Sequence, residues 1–354
     1  MILNYSPFTA EIVDGWDHCL KPYFSIILSA AFEAKPGCAV RLAKAASSSH
    51  PVDHYFGAPG RSSVRYEADI APEKPRVDVL INGRAYAPGA RATKQVVVSI
   101  RVADIFKPLL VTGDRYRTAV LGVASTPRPF VTMPIVYERA SGGTVPVLQG
   151  GSCDGYNPVG VGYKHARSLD PAVETEFPNV EHLDGRPGPV GFGIVARHWQ
   201  PRLKLAGTYD ARWLADRWPL LPADFKPEHH QAAPADQQSD KIRGGELVEV
   251  LNMTPEGKWF FRLPTLRVPI HLWYADRGET ATLALDTVLL EPDAYLVTLK
   301  ARVKIPIVRH RGPLRQAIVG DITGGWWRSR LARKIYRDPL GSNGRPLNPV
   351  EYEV

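Results

Sequence analysis

Three groups of residues carry side chains that could do chemistry. Cys19, Cys38, His50 and His54 follow a Cys, Cys, His-x3-His order that superficially suggests zinc. Thiolate and imidazole are natural tetrahedral donors, but structural zinc sites set their paired cysteines only about two to four residues apart. Here the cysteines lie at opposite ends of an expected strand and its turn, so buried thiols and surface imidazoles are expected instead. Cys153 sits in a Gly-rich loop with Asp154 beside it and His165 downstream. A cysteine nucleophile needs a base within reach and a lowered pKa, commonly at a helix N-terminus, and nothing predicts a helix at Cys153. His229 and His230 are adjacent, so their rings diverge in what reads as a polar loop. No G-x-S-x-G elbow and no P-loop occurs, and Gly191-Phe192-Gly193 and Gly142-Gly143 read as turns. No catalytic residue, metal ligand or cofactor is therefore expected; a hydrolase or toxin-like enzyme centred on the Ser141–Gly162 loop is the enzymatic alternative.

The 354-residue chain is 44% hydrophobic and 23% charged, the balance of a folded globular protein. Its 32 prolines and 30 glycines leave little room for long helices, because Pro removes a backbone donor and Gly costs entropy inside an element. The expectation is a mainly β fold: two packed antiparallel β-sandwich-like units, long irregular connecting loops and a short C-terminal helix. The N-terminus lacks the pattern of a signal peptide. The most apolar run, Tyr23 to Phe32, is about half the ~20 residues needed to span a bilayer. Three cysteines, an odd number, imply no disulfide framework, so a reducing, cytoplasmic location is expected.

Strand patterns run from Trp16 to Phe32, Val77 to Ile81, Gln95 to Val102 and Leu109 to Thr112. Asn82-Gly83 between apolar runs predicts a hairpin, because both residues tolerate positive φ. Breakers then crowd the chain from Ser141 to Gly162 and again from Pro219 to Gly245, with a short helix expected over Tyr209 to Trp218. Strands resume at Leu247–Asn252, Trp259–Leu263, Val268–Tyr274, Thr280–Leu290 and Tyr295–Ile307. The division predicted is a β domain over 1–140, an irregular connection with a short helix over 141–245, and a β domain with a basic helical end over 246–354.

Charge is unevenly spread. Lys300 to Arg337 holds eleven Lys/Arg against Asp321 alone, so this segment carries +10 of the net +8 and the remainder −2. A helix beginning near Trp326 would place Trp327, Leu331 and Ile335 on one face, with Arg328, Arg330 and Arg333 around it. These six residues are the candidate partner contacts: an apolar anchor with orienting cations. An anionic surface or nucleic acid is the alternative ligand of this end, although no nucleic-acid motif accompanies it.

An ordered series of weak motifs remains. It begins with Val77 to Ile81, Asn82, Gly83 and Tyr86, followed by Gly113, Asp114 and Arg115. Tyr137, Glu138, Arg139, Gly142 and Gly143 come next, then Asn157, Pro158 and Gly160, and Phe177-Pro178-Asn179. Gly191-Phe192-Gly193, Trp199-Gln200-Pro201-Arg202, Asp236, Gln237, Gly244, Gly245 and Glu246 close it. In this order the series resembles the domain-of-unknown-function family encoded beside VgrG and PAAR genes in bacterial type VI secretion clusters, from about Trp16 to Leu299. The resemblance implies an adaptor or chaperone that binds a PAAR-domain effector and helps load it onto the VgrG spike; it carries over no catalytic residues. Ser141 stands where that family commonly has Phe, and the basic end lies outside the region of resemblance. The acids and bases of the series, Asp114, Arg115, Glu138 and Arg139, read as loop-fixing groups before partner contacts.

Overall fold

The computed structural model describes residues 2–44, 49–117, 124–145, 151–162, 175–274, 277–332 and 334. The fold is mainly β. Its largest sheet runs Gln238–Ser239, Val77–Ile81, Ala284–Glu291, Leu296–Pro306, Pro22–Glu33 and Thr9–Trp16 in spatial order, with Arg41–Leu42 paired beside Pro22–Glu33. A five-stranded sheet runs Val180–His182, Ile105–Thr112, Gln95–Val102, Leu247–Leu251 and Lys258–Arg262. A smaller sheet joins Ile2–Asn4, Gln316–Val319, Pro269–Trp273 and Gly278–Thr282.

Both larger sheets mix the two ends of the chain. Val77–Ile81 pairs in parallel with Ala284–Glu291, and Pro22–Glu33 pairs antiparallel with Leu296–Pro306 over eleven positions, from Tyr23↔Pro306 to Glu33↔Leu296. Gln95–Val102 pairs with Leu247–Leu251. The expected boundaries at 140 and 246 are therefore not boundaries between sheets, and the larger sheet is mixed rather than purely antiparallel. Backbone ladders reward any complementary edge regardless of distance along the chain, and linear breaker density does not report them.

The core lies where the alternation points. Phe24, Ile26, Leu28, Ala30 and Phe32 face the main apolar cluster, as do Val96, Val98, Ile100 and Val102. The opposite face of Pro22–Glu33 is also covered, which explains its small and polar members: Ser25 and Ser29 are buried, and Ser25 Oγ donates to Pro72 O. Segment 141–245, expected as a connection, supplies core as well. Phe192, Ile194, Ala196 and Trp199 are all buried in the same cluster, so the chain there is irregular but packed.

Two boundaries differ from the sequence pattern for physical reasons. Asn82-Gly83 makes no hairpin: Val77–Ile81 stays in the large sheet, whereas the next strand, Arg84–Tyr86, pairs with Thr132–Pro134. Asn82 Nδ2 donates to Arg65 O, the Asn82 N–H donates to Leu290 O, and Gly83 admits Pro292, whose Cδ would lie 3.2 Å from an added Cβ. The dipeptide is a crossing point between sheets. Thr280–Leu290 likewise divides into Gly278–Thr282 and Ala284–Glu291, which belong to different sheets. The short helix forms over Ala211–Asp216, with Asp210 capping it through the Trp213 N–H.

Candidate functional site

The side chains of the motif series act mainly on backbone and on one another. Glu138 accepts from the Ser63 N–H and from Ser63 Oγ, both at 2.7 Å. Arg139 donates to Asp114 at 3.1 Å and to Asn179 Oδ1 at 3.0 Å, while Asn179 donates back to Asp114 at 3.1 Å. Arg115 donates to Glu181 and to Pro178 O, both at 2.6 Å. Charged donors and acceptors of this kind make the stronger hydrogen bonds, which is what irregular backbone needs to hold one conformation. Asn157 donates to Tyr137 O and Ser141 O at 2.8 and 2.9 Å. Gly142 and Gly160 are the residues that let it in: an added Cβ would lie 2.2 Å from Asn157 O and 2.4 Å from Asn157 Nδ2 respectively. Farther along, Glu246 accepts from the Arg243 and Gly244 N–H groups, and Tyr86 donates to Asp293.

Beneath these loops lies a knot around Lys107, a residue that sequence reasoning missed. Its ammonium donates to Gly191 O at 2.8 Å, Asp236 at 2.9 Å and Gln237 Oε1 at 2.7 Å, using all three of its protons. Gln237 passes the connection on, donating to Val79 O and Phe192 O. Lys107 belongs to the five-stranded sheet and Val79 to the largest one, so the knot ties the two sheets through the irregular segment. Burial lowers the Lys107 pKa and the Asp236 carboxylate opposes that shift. The signal was present: Lys107 occupies an inward position of the alternating strand Ile105–Thr112, where a charge demands a partner. Asp78 gives the same signal inside Val77–Ile81. It accepts from Gln231 Nε2, the Ala232 and Ala233 N–H groups and Lys74, and so pins segment 231–233 to the sheet.

Above the knot opens a cleft of about 310 Å³. Its lining includes Lys107, Tyr137, Tyr156, His182, Gly191, Gln200, Pro201, Arg202, Ala235 and Asp236. Four segments of the motif series therefore meet in it. Tyr137 stands edge-on to Trp199 at 5.6 Å and its ring touches Gly191, where an added Cβ would lie 3.2 Å away. Burial pushes the Tyr137 hydroxyl up, so it stays protonated. Arg202 holds the floor, donating to Glu67, Val195 O and His229 O. What this arrangement offers is a rigid concave surface of rings, prolines and backbone.

The basic end takes a different form from the one its composition suggests. Lys300 and Arg302 are buried, and both reach Asp69; Arg302 also pairs with Asp286 at 2.6 Å. Lys304 pairs with Asp17 and Glu73, and Arg311 with Glu279. Four of the eleven cations of the +10 segment are thus paired with acids from earlier in the chain. Trp327, expected as an anchor for a partner, packs on its own protein: Trp273 and His271 lie 5.3 and 5.7 Å away, and Gly278 fits beneath its ring. The helix spans Gly324–Leu331, with Arg328 exposed and Arg330 and Leu331 in its last turn. Arg333 and Ile335 lie outside the described residues, as does His165.

The cysteines are all exposed, contrary to the buried thiols expected. Cys19 falls in the turn after Thr9–Trp16 and Cys38 in the turn after Pro22–Glu33. His50 stacks on Tyr66 at 4.7 Å and meets His54 edge-on at 5.1 Å. Among the described residues, no group of three His, Cys, Asp or Glu side chains is placed to hold a metal ion, and no helix is long and apolar enough to cross a membrane.

No curated protein and no solved structure matches the chain. The profile of a bacterial family, described as an uncharacterized protein conserved in bacteria (DUF2169), matches residues 20–302, which takes in every motif of the series. Over most of its length, the chain belongs to the DUF2169 family of bacterial proteins.

Proposed function

We propose that this protein is a non-catalytic adaptor that binds a PAAR-domain effector in the cytoplasm and helps load it onto the VgrG spike. One observation carries the reading: the acids, bases and amides of the motif series are committed to holding loops, and four segments of the series line one cleft. A catalytic centre keeps its acid, base or nucleophile available to a reacting atom. A protein-binding surface needs shape instead, with aromatic and apolar groups fixed before the partner arrives. Tyr137, Pro201, Pro189 and Val190 around the cleft meet that need. The choice of partner rests on the order of the motifs, which resembles the family encoded beside PAAR and VgrG genes.

Co-expression with a PAAR-domain effector from the same bacterium, followed by affinity capture of either one, tests the proposal. The two proteins should co-purify, and deleting this gene should reduce secretion of the effector. Failure to associate, together with unchanged secretion, would end the adaptor reading. Replacing Cys153 and His165 with Ala should leave association and secretion intact; losing secretion while association persists would instead favour the enzymatic alternative.

A further inference from the structure

The outer edge of the five-stranded sheet carries a second feature, independent of the cleft. Lys258–Arg262 is the last strand of that sheet and pairs, among the described residues, with Leu247–Leu251 alone. Two backbone hydrogen bonds fix which residues face which way. Asn252 N donates to Gly257 O at 2.6 Å and Leu263 N donates to Glu246 O at 2.9 Å. In an antiparallel ladder the bonded positions alternate, so Gly257, Trp259, Phe261 and Leu263 direct their backbone groups inward. The N–H and C=O groups of Lys258, Phe260 and Arg262 therefore point off the edge.

The same three residues carry their side chains on the exposed face, and Phe260 is 70% exposed. Phe260, Glu249, Arg101 and Phe106 stand in direct cross-strand register. Arg101 lies 4.4 Å from the centre of the Phe106 ring and 3.5 Å from the Glu249 carboxylate, which occupies that acid within the row. Lys258 and Arg262 form no ion pair among the described residues; Arg262 donates to Gly245 O. A shallow groove of about 500 Å³, lined by Phe106, Leu247, Lys258 and Phe260 among others, runs over this face. Charges alone would blunt the edge against chance pairing, but a phenylalanine exposed between them works against that purpose.

We propose that this edge accepts an added β-strand from a partner protein. The strand has an acidic, an apolar and an acidic residue at alternate positions, set opposite Arg262, Phe260 and Lys258. Backbone hydrogen bonds supply the attachment and the alternating side chains supply selectivity. Charge decides between occupants. A second copy pairing antiparallel about Phe260 would set Lys258 against Arg262, and like charges directly opposite each other destabilise a sheet. An acidic strand turns both contacts favourable.

The test uses the full chain and two capped, fluorescently labelled peptides, Ser-Glu-Thr-Ile-Thr-Glu-Ser and Ser-Lys-Thr-Ile-Thr-Lys-Ser, read by anisotropy at low salt. The acidic peptide should bind about tenfold more tightly, given two cross-strand charge contacts of opposite sign in the two cases. Lys258→Glu with Arg262→Glu should invert the order. Phe260→Pro should abolish binding of both peptides while leaving the circular dichroism melt near that of the parent, because its lost N–H faces off the edge. Equal binding of the two peptides, no binding of the acidic one, or an order unchanged by the double charge reversal overturns the proposal. So does binding that appears only when residues 335–354 are removed, which would give the edge to the chain's own C-terminal segment. Self-association of the parent chain in sedimentation, lost in Phe260→Pro, would give it to a second copy. None of these outcomes bears on the adaptor reading, which is decided by co-purification.

Discussion

Lys300 donates to both carboxylate oxygens of Asp69, at 2.8 and 2.6 Å, across 231 residues of chain. Arg302 reaches the same carboxylate at 3.1 Å, and Asp286 takes its other arm. Two of the eleven cations counted near the C-terminus are therefore interior groups with partners. Burial raises the Asp69 pKa, but Lys300 and Arg302 outweigh it and hold the carboxyl below its ordinary range. The cluster joins the loop at Asp69 to two strands of the largest sheet, and its value lies in fixing that loop.

Breaking the cluster should be costly. Asp69→Ala leaves two buried cations without their shared anion, and a loss of about 3–5 kcal/mol is expected for a buried pair cut on one side. Arg212→Ala removes an exposed pair with Asp216 and should stay within about 0.5 kcal/mol. Urea unfolding of the two variants beside the parent measures both. Equal, small losses would mean that Asp69 is solvated and the cluster contributes nothing.

How far the chain could be read as a line of letters follows from the same cluster. Gln95–Val102 was legible to the residue, because one face meets the core and the other meets solvent, and alternation records that. Asn82-Gly83 misled, because a turn dipeptide reports local freedom and the chain used it to change sheets. Lys300 and Arg302 misled in the opposite way: they count toward the +10 of the basic end, and the acid they share, Asp69, lies more than 230 positions earlier. Trp327 looked like a free anchor because Gly278, the residue that makes room for it, is 49 positions away. The motif series was legible as loop-fixing chemistry, yet Lys107, which ties those loops to the sheets, lies outside it, and Asp78, inside its first motif, reads there only as part of a strand. Both are single charges at inward strand positions, and that local conflict was the readable clue.

Acid should unfold the protein from a higher pH than its carboxylates alone would require. Burial, reinforced by the charges of His229, Arg202, Lys74 and Arg302, lowers the His230 pKa to about 3. The unfolded chain binds that proton near pH 6.5, so between about pH 6.5 and 3 it holds a proton the native state refuses. Stability from this site is complete above that window and falls by about 1.4 kcal/mol for each pH unit inside it. His230→Phe should flatten the fall between pH 6 and 4. Asp69, with its pKa lowered from 3.8, contributes in full above about pH 4 and loses its contribution only below it. Urea midpoints at pH 7, 6, 5 and 4 separate the two; an unchanged slope in His230→Phe refutes the assignment.

Gly113 and Gly142 should resist even a methyl group. A Cβ at Gly113 would lie 1.9 Å from Arg128 O, and one at Gly142, where φ is +142°, 2.2 Å from Asn157 O. Backbone atoms cannot step aside as a flexible side chain can, so each Ala variant should lose about 1–3 kcal/mol. Gly89 has a positive φ of +61° but nothing within 4 Å, and Gly89→Ala should cost about 1 kcal/mol from conformation alone. Thermal melts of the three variants rank them; Gly89→Ala as damaging as Gly113→Ala would contradict the steric account.

The cleft can be closed without touching the knot below it. Ala235 is exposed, lines the cleft, and lies beside Asp236, whose carboxylate meets Lys107. Ala235→Trp places a ring in a space of about 310 Å³ and leaves every hydrogen bond of Lys107 in place. Co-purification with the PAAR partner should then fall by about tenfold, a loss near 1.4 kcal/mol, with the melting temperature close to that of the parent. Lys107→Met makes the opposite cut: it strips donors from Gly191 O, Asp236 and Gln237, and should lower stability by about 3–5 kcal/mol before any partner is added. A cleft that binds cargo must show the two effects apart, association lost at Ala235 and folding lost at Lys107. If Ala235→Trp retains full association, the effector is held elsewhere, and the motif loops shape a surface other than this cleft.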